Sequence, residues 1–389
     1  MACTHRADLA RLLASLTVAL LLVAPDAQAA RWRFQSSVDP GAYAVGHSVF
    51  DVIDPTRDDR TLPVDVWYPV DAENADGELS FYNFHLFLTG VHSDVSFDDA
   101  DSTATIGFPL VVYSHGGGGI STEASTLMES LASHGFVAAA PSHVGGNSEG
   151  AGTPDDVMRR YRPLDVSLVI DRLLERNLDP LDPLYLRINP NRIGVAGYSF
   201  GGWTAMHMAS GRSEPSAGPD VPPDPRVRAI AGVAPGTNIE STDEELTAIG
   251  VPLFLMGGTL DVNVTIDPYV TRPWALATGR PIYRADVAGA THGHFSWQCD
   301  FAESLIADLG VSEAGAAQLF KNFGGDFHAQ CRSPLLSIPE AQRIRDFYLT
   351  AFFERHLLDD AGYDEFLTPA YAAQHEPGVS FQRKDVGQR

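Results

Sequence analysis

The sequence predicts an α/β fold with a doubly wound, mostly parallel sheet of eight strands and helices on both faces. Several apolar runs, such as residues 110–113 (LVVY) and 136–140 (FVAAA), lack polar alternation, which is typical of strands buried on both faces. Helical patterns separate these runs, as right-handed βαβ crossovers require. The candidate strands are residues 48–52, 62–68, 109–113, 136–140, 192–196, 227–233, 252–256 and 281–285.

Two amphipathic helices carry the clearest helical spacing. One has apolar residues at Val166, Val169, Ile170, Leu173 and Leu174. The other follows Pro339, a residue favoured in the first turn of a helix, and includes Ile344, Phe347, Tyr348, Ala351, Phe352 and Leu358.

The composition is that of a folded globular protein. The chain has 389 residues, of which 44% are hydrophobic and 20% charged, and this excludes disordered, collagen-like and coiled-coil proteins. A formal net charge of −23 would repel phosphate backbones and anionic headgroups, so we expect no nucleic-acid partner, and any membrane contact would use apolar side chains.

One catalytic domain is predicted over residues 30–389. Insertions are expected near residues 74–107, 143–154, 211–225 and 299–331. The first contains an aromatic cluster at residues 81–88 (FYNFHLFL), for which we consider a lid, an interfacial patch, or a helix packed on the body.

The N-terminus has the three-part layout of a secretory signal peptide over residues 1–29. Arg6 and Arg11 precede an uncharged apolar run at residues 12–24, and Ala27-Gln28-Ala29 supplies a cleavage site. The run is shorter than the ~20 residues of a membrane-spanning helix. We therefore expect a secreted or periplasmic protein, with no transmembrane segment after signal removal. The alternatives are an uncleaved anchor or a buried helix.

Signal removal would leave Cys299 and Cys331 as the mature cysteines. In an exported chain two cysteines most simply form a disulfide. The alternative is a pair of buried free thiols. No metal site is expected here, because no second Cys or His pair lies nearby at ligand spacing.

The strongest chemical motif is Gly197-Tyr198-Ser199-Phe200-Gly201. It lies between an apolar strand and a helical pattern, the setting of a nucleophile elbow. Glycines are needed two residues to either side because a Cβ there would collide with neighbouring backbone. Ser199 is therefore the candidate nucleophile, and the alternative is a Gly/Ser turn without chemistry.

A glycine run after an earlier strand predicts an oxyanion hole. Residues 114–119 read SHGGGG, and backbone amides without side chains suit the charged oxygen of a tetrahedral intermediate. We assign one donor to Phe200, which follows the nucleophile, and the other to Gly117, with Gly116 and Gly118 as alternatives. His115 is expected to orient this loop. A phosphate-binding loop is the alternative, although no Gly-Lys-Ser/Thr follows.

The acid and base follow later strands. Asp261 comes after the strand at residues 252–256, and His292 after the strand at 281–285. The carboxyl ends of parallel strands face one crevice, so Ser199, Asp261 and His292 should converge there as a triad. His294 is an alternative base. We expect no metal, because a catalytic zinc would need a third ligand beside these two histidines.

Four stretches together resemble the platelet-activating-factor acetylhydrolases and related bacterial dienelactone-hydrolase-like proteins. They are residues 61–69 (TLPVDVWYP), 111–116 (VVYSHG), 131–139 (LASHGFVAA) and 197–202 (GYSFGG). The resemblance implies an α/β-hydrolase that cleaves carboxylic esters through Ser, His and Asp without a metal. It also implies the roles above for Ser199, His292, Gly117 and Phe200.

The chain departs from the eukaryotic acetylhydrolases in one place. Those enzymes carry the acid after the strand that follows the nucleophile helix, whereas residues 231–238 (AGVAPGTN) have no carboxylate here. The acid therefore shifts to Asp261, as in dienelactone hydrolases and secreted polyester hydrolases.

These features predict a secreted serine carboxylic-ester hydrolase that forms an acyl-enzyme on short-acyl or small esters, with platelet-activating-factor-like phospholipids among its candidate substrates. The alternatives are a cutinase-like polyester hydrolase, a dienelactone-type hydrolase, an amidase or peptidase, and a non-catalytic binding or adhesion protein on the same scaffold. We expect no cofactor. The expected partners are small-molecule, lipid or polymer esters.

Overall fold

An eleven-stranded sheet runs through the part of the chain that the computed structural model describes, with strand order β11-β10-β9-β8-β7-β5-β6-β2-β1-β4-β3. The structure describes residues 40–84, 89–148, 150, 152–213, 218–236, 241–322, 326–385 and 387. The strands are Ala44–Asp54 (β1), Arg60–Val70 (β2), Leu79–Asn83 (β3), Gly90–Asp98 (β4), Phe108–Ser114 (β5), Val137–Pro141 (β6), Ile188–Tyr198 (β7), Val227–Val233 (β8), Leu253–Gly258 (β9), Ile282–Val287 (β10) and Val379–Lys384 (β11).

The predicted fold class is confirmed, but the predicted count of eight strands is wrong. Each predicted strand overlaps an observed one, and β6, β5, β7, β8, β9 and β10 are parallel neighbours. The strands not predicted are β3 and β11, which are the two edge strands, and β4, which lies between β1 and β3. β3 alternates exposed and buried residues, and β11 ends in charged residues, so these strands lack the continuous apolar run used for prediction.

Helices cover both faces of the sheet. They are Ser125–Ser133 (α1), Asp155–Arg176 (α2), Phe200–Ser210 (α3), Asp243–Ala248 (α4), Ile266–Tyr269 (α5), Thr271–Leu276 (α6), Trp297–Leu309 (α7), Glu313–Asn322 (α8), Phe327–Cys331 (α9), Ile338–Leu357 (α10) and Pro369–His375 (α11). The two predicted amphipathic helices correspond to α2 and α10, and Pro339 lies in the first turn of α10.

The alternation of side chains along each strand divides the core into two layers. In β5, Val111 and Tyr113 pack with α1 and α10 on one face, while Leu110 and Val112 pack with α2 and α3 on the other. The central strands are therefore covered on both sides, as their uninterrupted apolar sequences predict. Among the described residues, no helix is both long enough and apolar enough to cross a bilayer.

Two of the predicted insertions have regular structure. Residues 74–107 contain the antiparallel pair β3 and β4. Phe81 lies in β3, so the proposed helix is wrong for the described part of the aromatic cluster, and residues 85–88 of that cluster lie outside the described residues. The segment near 299–331 forms α7, α8 and α9, which we call the cap. The predicted signal peptide at residues 1–29 also lies outside the described residues.

Candidate active site

A sharp turn between β7 and α3 presents Ser199 at the carboxyl edge of the sheet. Ser199 has a φ of 52° and a ψ of −120°, a conformation that L-residues rarely adopt. A Cβ on Gly197 would meet the backbone of Gly201, and one on Gly201 would meet the carbonyl of Ser114. The turn therefore requires glycine at both positions and holds the serine hydroxyl out of the strand.

The structure brings Ser199, His292 and Asp261 together. The His292 Nε2 atom lies 3.1 Å from Ser199 Oγ, and His292 Nδ1 lies 2.6 Å from Asp261 Oδ2. The histidine and the aspartate are buried, whereas Ser199 is only half-buried. With Nδ1–H donating to the carboxylate, Nε2 is left as the acceptor for the serine proton, which is the tautomer that general-base catalysis needs.

Backbone contacts orient both partners of the serine. The second oxygen of Asp261 accepts the amides of Asn263 and Val264, each at 2.8 Å. The Tyr198 hydroxyl donates to the backbone carbonyl of His292 at 2.9 Å. The imidazole and the carboxylate are therefore positioned before any substrate arrives.

His294, the alternative base, bonds elsewhere. It is fully buried, its Nδ1 lies 2.5 Å from Thr291 Oγ1, and its Nε2 lies 3.2 Å from the Leu336 carbonyl. Nδ1 thus bonds within the histidine loop, and Nε2 ties that loop to the segment before α10. Of the two candidate histidines, the structure places His292 beside Ser199.

The glycine loop leaves one amide available. The neighbouring amides are bonded within the protein. The Gly116 amide donates to Glu123 Oε1 at 2.7 Å, and the Gly118 amide donates to the Gly146 carbonyl at 3.0 Å. The Gly119 amide donates to the Gly116 carbonyl at 3.2 Å. Among the described residues, no acceptor bonds the Gly117 amide. Phe200 is the first residue of α3, where an amide has no acceptor within the helix. The predicted donors Gly117 and Phe200 are therefore both free to bind an oxyanion.

A second Ser-His-Asp arrangement lies beneath this loop, and the sequence analysis did not identify it. Ser114 Oγ lies 2.9 Å from His143 Nε2, and His143 Nδ1 lies 2.9 Å from Asp165 Oδ2. All three side chains are fully buried. Burial, together with the nearby Arg162 guanidinium, lowers the pKa of His143 to about 4, so its imidazole is neutral at pH 7.

Arg162, on α2, holds the glycine loop from below. Its guanidinium donates to the backbone carbonyls of His115 and Gly116, the second at 3.0 Å, and lies 4.3 Å from the ring centroid of Phe200. Burial lowers the pKa of Arg162 to about 10, so it stays charged at neutral pH. In the sequence, the only sign of this buried polar group was a pair of charged residues, Arg162 and Asp165, which lie one turn apart beside the buried face of α2.

His115 joins the two groups. Its Nδ1 lies 2.7 Å from the Gly116 carbonyl, and its Nε2 accepts the His143 amide at 3.0 Å. Burial and the Arg162 charge lower its pKa, which keeps the ring neutral. These contacts suit the loop-orienting role expected for His115.

A cleft of about 400 Å³ opens above Ser199. Its floor is the glycine loop with Ser199 and His292, and the cap supplies one wall. The cap begins at Trp297, where the Ser296 hydroxyl caps α7 by accepting the Gln298 amide. The lining residues are Gly116, Gly117, Gly118, Gly119, Glu123, Asn147, Ser148, Tyr198, Ser199, Asn263, His292, Ser296, Trp297, Gln298, Phe301, Phe320 and Gln330.

The structure has the predicted disulfide between Cys299 and Cys331, with a Cα–Cα distance of 5.4 Å. It joins α7 to α9 within the cap. A Cβ on Gly293, the residue after His292, would lie 2.8 Å from Cys299 Sγ. The disulfide therefore packs against the histidine loop as well as holding the cap together.

Two protein families match the chain. The platelet-activating factor acetylhydrolase isoform II family matches residues 41–151. The dienelactone hydrolase family matches residues 100–298, which is just over half of the chain and includes all three catalytic candidates. None of the curated proteins matches the chain.

A solved structure supports the fold. The chain is similar to a ferulic acid esterase from Streptomyces cinnamoneus, with a TM-score of 0.64 and 23% sequence identity. The match covers 91% of this chain and 100% of the esterase chain. At this identity, the likeness is evidence for a shared architecture.

Proposed function

The chain belongs to the dienelactone hydrolase family, has the α/β-hydrolase fold and is a carboxylic ester hydrolase, and we propose that it works through an acyl-enzyme on Ser199. The observation that carries the proposal is the hydrogen-bonded series Ser199, His292 and Asp261 at the floor of a cleft. The half-buried serine is accessible to a substrate, Gly117 lines the same cleft, and Phe200 follows the serine in the chain. Among the described residues, no acceptor bonds either amide.

In the proposed mechanism, Ser199 Oγ attacks the ester carbonyl as His292 Nε2 takes its proton. Asp261 stabilises the imidazolium, while the amides of Gly117 and Phe200 stabilise the oxyanion. His292 then returns the proton to the leaving alcohol, and the acyl group stays on Ser199. Water, activated by the same imidazole, hydrolyses the acyl-enzyme and restores the serine.

The size of the cleft favours small esters. About 400 Å³ is enough for a small ester and is near the lower end of the range for ligand pockets. We propose short-acyl or small esters as substrates, hydrolysed by one catalytic domain that spans residues 30–389.

A fluorophosphonate probe tests the proposal directly. We expect the probe to label the wild-type protein and block hydrolysis of 4-nitrophenyl acetate, with the label on the peptide that contains Ser199. Ser199→Ala should lose both labelling and turnover. Wild-type turnover in Ser199→Ala would refute the mechanism, and a folded wild-type protein without any labelling or turnover would favour a binding protein on this scaffold.

A polyester substrate is a second candidate, favoured by exposed apolar side chains on the loops of the acid and the base. Leu260 and Val262 flank Asp261 and are 42% and 75% exposed. Leu335, 70% exposed, packs against Gly289 on the loop before His292. We expect release of soluble products from an aliphatic polyester film if these residues bind a polymer, with a larger loss on the film than on 4-nitrophenyl acetate for Val262→Ser and Leu335→Ser.

We also propose that the protein is exported after cleavage near Ala29. The charged, apolar and small-residue segments of residues 1–29 support this, as does the cap disulfide, which would persist in an oxidising compartment. Expression of the full chain in a bacterial host should yield periplasmic or secreted protein whose N-terminal sequence begins near Ala30. A mature protein that retains Met1 would refute the proposal.

A further inference from the structure

The cleft above Ser199 has a polar lining with almost no charge. Four amide side chains, those of Asn147, Asn263, Gln298 and Gln330, supply hydrogen-bond donors and acceptors. In the described part of the chain, no lysine or arginine lines the cleft. Arg162, beneath the glycine loop, has its guanidinium on backbone carbonyls and is fully buried, so it is out of reach of a substrate anion.

The one non-catalytic carboxyl group in the lining carries little charge at neutral pH. Glu123 is 3% exposed, and its Oε1 accepts the Gly116 amide. Burial raises the pKa of Glu123 to about 8. The described lining residues therefore provide neither a cation for a carboxylate or phosphate nor, apart from the Asp261 carboxylate behind His292, a fixed anion for an ammonium group.

The cap supplies an aromatic, apolar wall. Trp297, Phe301 and Phe320 line the cleft, and the rings of Trp297 and Phe301 lie 5.6 Å apart between centroids. Phe84, the residue after β3, packs on both rings at centroid distances of 5.5 and 5.8 Å. Packing from behind holds these rings in place, so the wall exists before a ligand enters.

We infer that this site selects uncharged esters that carry an aromatic or other apolar group with hydrogen-bonding substituents, and that it rejects esters with a carboxylate or phosphate near the scissile bond. The apolar group would lie against Trp297, Phe301 and Phe320, and its substituents would meet the amide side chains. An anionic group would lose its hydration without gaining a counter-ion. This inference rests on the proposed esterase function, because it assumes that substrates bind above Ser199.

A pair of size-matched esters tests the charge selection. We expect kcat/KM for 4-nitrophenyl hemisuccinate to be at least about 30-fold lower than for 4-nitrophenyl butyrate, the penalty for an unpaired anion in the cleft. The protein's net charge of −23 would also repel the anion from a distance, but 0.5 M NaCl screens that effect. A selectivity that persists in salt supports the inference, and one that disappears overturns it.

A charge added to the cleft should reverse this preference. Gln298→Arg places a guanidinium in the lining, and we expect it to raise kcat/KM for the hemisuccinate about tenfold relative to the butyrate. Gln374→Arg, on the exposed surface of α11, adds the same charge outside the cleft and should leave the ratio unchanged. Equal effects of the two variants would overturn the inference.

The aromatic wall is tested with two neutral esters. Phe320→Leu keeps an apolar side chain but removes the ring, and we expect a roughly fivefold larger loss of kcat/KM on 4-nitrophenyl benzoate than on 4-nitrophenyl acetate. Equal losses on both esters would show that the ring acts only in packing and would contradict this part of the inference.

The same panel separates failure of the inference from failure of the proposed function. If the wild-type protein hydrolyses the neutral and anionic esters equally well, the charge selection is wrong and the esterase mechanism stands. If it hydrolyses none of them and no probe labels Ser199, the proposed function fails and the inference fails with it.

Discussion

Two regions of this protein contain the same three residue types bonded in the same order, with different surroundings. In Ser199–His292–Asp261 the two hydrogen-bond distances are 3.1 and 2.6 Å, and in Ser114–His143–Asp165 both are 2.9 Å. Distance alone therefore does not separate them. We call the first the cleft triad and the second the buried triad.

Access and neighbouring groups distinguish the two. Ser199 lies on a strained turn at the floor of the cleft, beside unpaired amides, whereas Ser114 ends β5 with its side chain fully buried. In the buried triad, Arg57 and Arg60 both bond the Asp165 carboxylate. Burial opposes ionisation of this group, but the hydrogen bonds from His143 and Arg60 hold its pKa well below its usual range. A Ser-His-Asp series thus becomes a candidate catalyst only where a substrate carbonyl can reach the serine and an oxyanion can be stabilised.

The buried triad still serves the cleft triad. Gly201 of the nucleophile turn packs against the Ser114 carbonyl. The glycine loop starts at His115, the residue after Ser114. We therefore expect changes in the buried triad to act mainly on stability and loop position, and changes in the cleft triad to act mainly on chemistry.

Replacing each histidine gives the largest predicted contrast. His292→Gln removes the general base, and we expect kcat on 4-nitrophenyl acetate to fall by about 10⁴-fold or more. His143→Gln should reduce kcat by less than about tenfold but lower the free energy of unfolding by about 1–3 kcal/mol, since it disturbs buried hydrogen bonds. Steady-state kinetics and urea unfolding measure both effects, and a larger activity loss for His143→Gln would reverse our assignment.

The aspartates should show the same division. Asp261→Asn disfavours the productive tautomer of His292 and should reduce kcat by up to about 10⁴-fold with little loss of stability. Asp165→Asn leaves Arg60 without its buried anion and Arg57 with Asp54 alone, and we expect a loss of about 3–5 kcal/mol in unfolding free energy. Thermal unfolding with activity assays separates the outcomes, and equal stability of both variants would contradict the structural role of Asp165.

The contrast between the two triads also explains which residues could be predicted from the sequence. Ser199, Asp261 and His292 each follow a strand with a continuous apolar run, and the shared edge of a parallel sheet predicts that they meet. The glycine run predicted the oxyanion donors for a similar reason, since it follows β5. These features depend on local sequence and on topology that the strand pattern sets.

The buried triad and the cap depend on contacts that no local pattern marks. His143 lies in a Gly-rich loop and Asp165 on a helix, and their meeting depends on how α2 packs on the sheet. The aromatic wall likewise depends on the packing of α7 and α8 over the cleft, where Trp297 and Phe320 are far apart in sequence. The edge strands β3 and β11 escaped prediction because one-sided burial leaves only a few apolar residues in each.

The pH dependence of the unfolding free energy gives a further test of the buried triad, through His143. The pKa of His143 is lowered to about 4 in the folded protein, whereas an unfolded histidine titrates near 6.5. Its contribution to stability is therefore present above pH 6.5 and is lost as the pH falls towards 4, by up to about 3 kcal/mol. We expect the unfolding free energy of His143→Gln to fall less than that of the wild type between pH 6.5 and 4.

Chemical denaturation at several pH values measures this difference. His207 and His356, whose pKa values burial also lowers to about 4, are present in both proteins, so their contributions cancel in the comparison. Parallel pH profiles for the wild type and His143→Gln would show that His143 does not stay neutral in the fold.

Arg162 supports the glycine loop that lies between the two triads, and its replacement tests this support. Arg162→Met removes the bonds to the carbonyls of His115 and Gly116, so the Gly117 amide should lose its fixed position. A misplaced oxyanion donor weakens transition-state binding, and we expect kcat to fall about 10–100-fold while KM changes less than about threefold. Arg172→Met, at an exposed ion pair on the same helix, is the matched control and should have wild-type kinetics.

A tetrahedral adduct distinguishes positioning from general loss of structure. Phenylboronic acid forms such an adduct with a reactive serine, and its inhibition constant in Arg162→Met should rise in proportion to the loss of kcat. Fluorophosphonate labelling of the variant should still go to completion, because Ser199, His292 and Asp261 are untouched. An unchanged inhibition constant with reduced kcat would mean that Arg162 does not act through the oxyanion hole, and the buried triad would then be a purely structural neighbour of the cleft.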